Sequence, residues 1–135
     1  MEVGGKRKGD KGYFIEPTIF SNVSEDMKIM QEEIFGPVCS IAKFKTEEDA
    51  VKVGNSTTYG LAAAVHTQNI NTAIRVSNAL KAGTVWVNCF YVRDLETPFG
   101  GSRDSGIGRE GGRHSFDFYC DVKTVCERTT SFTES

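Results

Sequence analysis

The chain is poor in the residues that build metal and redox centres. Its two histidines, His66 and His114, stand alone, and its four cysteines, Cys39, Cys89, Cys120 and Cys126, include no C-x-x-C pair. A zinc site draws its ligands from such residues at short recurring spacings, so no metal site is assigned. No apolar run approaches the roughly 20 residues of a membrane-spanning helix, which leaves no membrane partner to expect. Charge of one sign is also lacking. The net charge is −2, and the basic residues are scattered rather than gathered into the stripe that nucleic acid requires. The signatures G-x-S-x-G and the P-loop do not occur. Residues 1–11 are rich in glycine and lysine without the apolar centre of a signal peptide, so secretion is not expected. Reduced cysteines then point to the cytoplasm.

What is present allows one domain at most. The chain has 135 residues, 39% of them hydrophobic, with nine phenylalanines and one tryptophan, enough to expect a core. From Val38 onward the pattern alternates. Residues 38–44 read as a strand with both faces largely apolar, after the turn Gly36-Pro37. Thr46-Glu-Glu-Asp opens a helix in the manner of a capping box, with the stop near Asn55. Leu61–Val65 is a run of small apolar residues that suits a buried strand. Asn69 or Asn71 caps the next helix, with Ile70, Ala73, Ile74, Ser77 and Leu80 at helical spacing, and Thr84–Cys89 is the following strand. Strand, helix, strand, helix, strand predicts an α/β fold with a parallel-type sheet and crossover helices.

The flanks are less regular. Residues 13–20 are interrupted by Pro17 and read as an edge strand or extended segment, and Ser24 is a possible cap for a single helical turn. Residues 110–119 form a short helix weakened by Gly111 and Gly112. Residues 120–128 alternate Cys120, Val122, Thr124 and Cys126 against charged positions and read as a strand. Residues 129–135 are polar and are expected to form a disordered tail.

The stretch from Trp86 to Glu110 organises the chain. A short strand enters it, and after Asn88 it becomes a long loop of aromatics, charges and glycines without period. Loops of this length are commonly functional. Within it, Gly106-Ile-Gly-Arg-Glu-Gly111 fits G-x-G-x-x-G, but the dinucleotide motif needs a strand directly before it, and a loop stands there instead. Arg93, a guanidinium on an aromatic loop, suits a carboxylate ligand; the competing reading is an ion pair to Asp94 or Glu96. Glu33 beside Phe35 is either a carboxylate and ring placed for a ligand, or a solvated glutamate next to a core phenylalanine.

Several motifs resemble the NAD(P)+-dependent aldehyde dehydrogenase superfamily, in its order and spacing. They are Gly4-Gly5-Lys6, Gly12-Tyr-Phe-Ile-Glu-Pro-Thr, Gln31-Glu-Glu-Ile-Phe-Gly-Pro-Val, Asn55 to Ala64, Ala82-Gly-Thr-Val-Trp-Val-Asn, and Pro98-Phe-Gly-Gly through Gly106-Ile-Gly-Arg-Glu. The loop Val92-Arg-Asp-Leu and the run from Gly108 to Tyr119 further resemble the 2-hydroxy- and aminomuconic semialdehyde dehydrogenase branch. The resemblance implies that NAD or NADP is the cofactor and a small aldehyde the substrate. Glu33 would bond the nicotinamide-side ribose and Phe35 would pack beside it. Asn88, Arg93 and Phe99 would face the substrate, with Arg93 on a substrate carboxylate. It also implies that residues 1–119 are the C-terminal part of a catalytic domain and that residues 120–128 form a strand joining subunits of a homo-oligomer.

The family chemistry uses a cysteine nucleophile, an oxyanion-hole asparagine and a glutamate base. None of the four cysteines here sits in that nucleophile motif, so no catalytic residue is assigned and the chain alone is expected to be inactive. Glu96, where the muconic branch often has a second basic residue, and Ser102-Arg103, in place of the common Gly-Gly-x-Lys, are departures. The alternatives are a non-catalytic assembly module that pairs with full-length subunits, and a truncated product without function.

Overall fold

The computed structural model describes residues 1–128. The chain opens with an irregular hairpin in which Val3 bridges Ile19 and Arg7 bridges Ile15, both antiparallel. Strand β1 (Thr18–Ser21) begins directly after Pro17, where the missing N–H of proline no longer disturbs a ladder. Helix α1 is a single turn, Lys28–Gln31. The Ser24 hydroxyl does not cap it; it donates to Asp26 Oδ1 at 2.5 Å. Strand β2 (Val38–Ile41) then pairs in parallel with β1, Thr18 opposite Val38 and Ser21 opposite Ile41.

Helix α2 (Glu47–Gly54) follows with the expected cap: Asp49 N–H donates to Thr46 Oγ1 at 3.1 Å, while Thr46 N–H donates to Asp49 Oδ2 at 3.2 Å. Such a box satisfies two donors that the first turn leaves unpaired and stabilises the helix by about 1 kcal/mol. Strand β3 (Ala62–Val65), helix α3 (Ile70–Ala79) and strand β4 (Thr84–Val87) complete a parallel β-α-β unit with Ala62 opposite Thr84. Asn69 caps α3 by accepting from the N–H groups of Asn71 and Thr72. A short 3-10 turn at Arg103–Ser105 and helix α4 (Arg113–Tyr119) finish the regular structure.

Two expectations need correction, and a third, the strand at 120–128, is not shown. The alternating pattern suggested one sheet, but β1–β2 and β3–β4 are separate two-stranded parallel sheets. Periodicity marks which segments are strands and carries no information about which strands are neighbours. The strand expected at 120–128 takes no regular structure, with Val122 fully exposed. Extended backbone becomes a strand only where a second backbone takes up its N–H and C=O groups, and no described segment does so. Among the described residues the expected core is almost absent: the buried apolar side chains are Val23 and Ala73, while Ile41, Leu61 and Val87 on the strands and their margins are exposed. The tail expected at 129–135 lies outside the described residues.

Candidate functional site

The loop after β4 is held at its root by Asn88. This residue takes the left-handed backbone region (φ 54), which asparagine tolerates better than most residues. Its Oδ1 accepts from Thr67 N–H and its Nδ2 donates to Thr67 C=O, both at 2.9 Å. The side chain expected to face the substrate is therefore a clamp across the ends of β3 and β4. Trp86 Nε1–H donates to Val92 C=O at 2.7 Å, and the Trp86 ring stacks with Tyr91 at 6.1 Å and meets Phe90 edge-on at 5.2 Å. These contacts fold the loop's aromatic half back over the strand.

Arg93 is then presented to the far side of the loop. Its Nη2 lies 2.9 Å from Glu110 Oε1, and its guanidinium carbon stands 4.2 Å from the Phe99 ring centroid. Phe99 and Glu110 face each other across an antiparallel bridge, with reciprocal main-chain bonds of 2.7 and 2.8 Å. Arg93 and Phe99, both candidates to face the substrate, are thus brought together. The acidic partner, however, is neither Asp94 nor Glu96. Asp94 Oδ1 accepts from Glu96 N–H within the loop. Glu110, 17 residues away, was missed because nothing local ties it to Arg93.

Glu33 lies between α1 and β2 and lines a hollow of about 460 Å³ together with Asn55, Tyr59, Lys81 and Arg103. Its carboxylate has no hydrogen-bond or ion-pair partner among the described residues. Phe35 is 89% exposed at φ 52 and does not line that hollow. Phe99 and Glu110 line a second hollow of about 260 Å³ with Phe118 and Tyr119. The two groups of candidate residues share neither hollow.

Arg103 joins the walls of the first hollow. It too is left-handed (φ 54), and its guanidinium donates to the carbonyls of Asn55, Thr57 and Lys81. Asn55 adds bonds to Ala79 C=O and from Lys81 N–H, tying the end of α2 to the end of α3. A departure from the usual motif at Ser102-Arg103 was the only sequence signal for this knot. The motif at Gly106–Gly111 follows the 3-10 turn rather than a strand, so it lacks the geometry of a dinucleotide loop. The described residues gather no group of three metal-ligating side chains. The arrangement offers binding groups: a free carboxylate over a hollow, a paired guanidinium and exposed rings.

Residues 1–125 match the model of the aldehyde dehydrogenase family. An aldehyde dehydrogenase of Davidiella tassiana is 71% identical over 128 residues, which cover 95% of this chain and 26% of that protein. The Arabidopsis thaliana protein named aldehyde dehydrogenase family 2 member B4, mitochondrial, is 59% identical over 93% of this chain and 23% of its own length. Among solved structures, the NAD+ complex of an aldehyde dehydrogenase from Bacillus cereus superposes with a TM-score of 0.85 at 50% identity, covering 91% of this chain and 25% of that one. Betaine aldehyde dehydrogenase from Staphylococcus aureus in complex with NAD+ gives 0.83 at 41% identity, covering 98% and 28%. The chain spans about a quarter of the length of the curated relatives it matches.

Proposed function

The chain belongs to the aldehyde dehydrogenase family, and from that premise we propose that it supplies cofactor- and substrate-facing parts of an enzyme that oxidises a small aldehyde to a carboxylic acid with NAD+ or NADP+. The observation that carries the reading is the family match over residues 1–125, joined to an unpartnered Glu33 carboxylate over a hollow of about 460 Å³. A carboxylate accepts hydrogen bonds only, which suits the two hydroxyls of a ribose. Phe35 offers an exposed ring for the neighbouring end of the cofactor. When bound, the nicotinamide accepts hydride from the aldehyde carbon. Arg93 and Phe99 face the far end of the substrate, and Asn88 holds the loop that carries them. Residues 120–128 become a strand when a second subunit supplies the missing backbone partner. The proposed setting is the cytoplasm, tested by cell fractionation.

The finer assignment to the muconic semialdehyde branch needs an Arg93 open to a substrate carboxylate, and the Arg93–Glu110 pair works against it. The test of the main reading is aldehyde-dependent NADH formation by the full-length protein. Glu33→Gln raises KM for NAD+ by roughly tenfold, the scale of a lost hydrogen bond to a charged group. An unchanged KM refutes the role of Glu33. Aldehyde oxidation by the 135-residue chain alone refutes the expectation that its residues need the rest of the enzyme.

A further inference from the structure

Trp86 stands on β4 just before the loop begins, and it reaches three successive loop residues. Its ring meets Phe90 edge-on and stacks with Tyr91, and its Nε1–H donates to Val92 C=O at 2.7 Å. Phe90 and Tyr91 also meet each other edge-on at 5.0 Å, which closes a cluster of three rings. Little else holds this segment. Phe90, Tyr91 and Val92 are all exposed. Among the described residues, the indole bond is the one hydrogen bond made by the main chain of residues 89–93. Tyr91 has φ 63, a conformation that a bulky residue keeps only where its surroundings hold it. The stack on Trp86 is that hold.

The consequence falls on the next residue. Val92 C=O and Arg93 N–H belong to one planar peptide unit, so fixing the carbonyl fixes the plane from which the Arg93 side chain departs. The Arg93 guanidinium then stands 4.2 Å from the Phe99 ring centroid. We propose that Trp86 is a positioning residue for the aldehyde site: its indole N–H, through Val92 C=O, orients the peptide that leads into Arg93 and so places Arg93 over Phe99. The inference rests on the reading above that Arg93 and Phe99 face the far end of the substrate. Trp86 touches neither substrate nor cofactor in this scheme. Its effect therefore falls on KM for the aldehyde and leaves kcat and KM for NAD+ in place.

The test uses the full-length protein and two aldehydes. 4-Nitrobenzaldehyde carries acceptor oxygens at its far end, which suit guanidinium N–H groups. Acetaldehyde has no far end and serves as the control. Trp86 is replaced by benzothienylalanine, which keeps the bicyclic shape and puts sulfur where the indole N–H was. KM for 4-nitrobenzaldehyde rises about fivefold, the scale of one neutral hydrogen bond. KM for acetaldehyde, KM for NAD+ and both kcat values stay within about twofold. In an Arg93→Ala background the same replacement has no further effect on KM for 4-nitrobenzaldehyde, because the residue through which Trp86 acts is gone. Trp86→Phe, which also lacks the donor, gives the same split and decides the matter should the isostere fail to fold.

A merely structural role for Trp86 lowers kcat for both aldehydes or raises KM for NAD+ to the same extent, and either result overturns the proposal. So does an unmoved KM for 4-nitrobenzaldehyde, or a fivefold rise that persists without Arg93. Oxidation of neither aldehyde by wild type overturns the dehydrogenase reading and this inference with it. Oxidation of acetaldehyde but not of 4-nitrobenzaldehyde overturns this inference alone, since no far end then reaches the loop.

Discussion

Isolating the 135-residue segment is the perturbation whose outcome the structure constrains most. A compact folded chain of this mass exposes about 7,000 Å². This one exposes 11155 Å², so about 4,000 Å² stays in water that a closed domain of the same mass would bury. The apolar residues involved are large ones: Phe35 at 89%, Leu95 at 82% and Ile107 at 86% exposure. If only a quarter of that surplus is apolar, the hydrophobic stabilisation withheld is about 25 kcal/mol, larger than the roughly 5–15 kcal/mol that keeps an ordinary domain folded. The isolated chain is therefore expected to unfold without a sharp transition and to bind a hydrophobic dye before any denaturant is added. The assay is urea titration followed by Trp86 fluorescence and by far-UV circular dichroism. Trp86 is the sole tryptophan and sits on β4 beneath the loop, so its signal reports that contact directly. Coincident sigmoidal transitions with an m-value of about 1–3 kcal/mol/M, normal for a small two-state domain, would refute the reasoning.

The remaining predictions concern side chains that join elements. Arg103→Ala in the full-length protein lowers stability by about 1–2 kcal/mol, through loss of charge-assisted bonds to three carbonyls discounted for exposure. Arg103→Lys recovers less than half of this, because one ammonium cannot reproduce the planar fork; a lysine variant as stable as the parent in a thermal melt would contradict the clamp. Glu47 links α2 to α3 through a two-armed pair with Arg75, both arms 2.7 Å. The hydrogen bond from Arg75 holds the Glu47 carboxyl below its ordinary value of 4.5. A carboxylate with a lowered folded pKa contributes stability above its unfolded pKa and loses that contribution as pH falls through the folded one. Glu47→Gln thus destabilises at neutral pH, and the gap to wild type closes as pH drops below 4.5. A gap that persists unchanged into that acid range would count against the pair.

Much of the local structure was legible before any coordinates. Thr46 and Asp49 announced the start of α2 and Asn55 its stop, and Asn69 was one of the two residues offered as the cap of α3, because capping chemistry acts within four residues. Strand segments at 38–41, 62–65 and 84–87 were found with ends overestimated by one to three residues. The candidate site was legible in part. The aromatic loop and Arg93 stood out by composition, and Glu33 by its place in a motif. Glu110 and the Arg103 knot did not, since their partners lie between 17 and 48 residues away.

Sequence alone thus determined where helices begin and stop, which segments are extended, and which family the motifs resemble. Each is a matter of short-range chemistry or of motif order along the chain. Tertiary structure alone decided that the four strands make two sheets, that Asn88 spends its amide on Thr67, and that Arg93 meets Glu110. It also decided that residues 120–128 remain unpaired and that nearly every apolar face stays open. The physical reason is common to all of these. A strand, a charge or an apolar face states what it needs in its own residues, but which group satisfies that need depends on where the rest of the chain comes to lie.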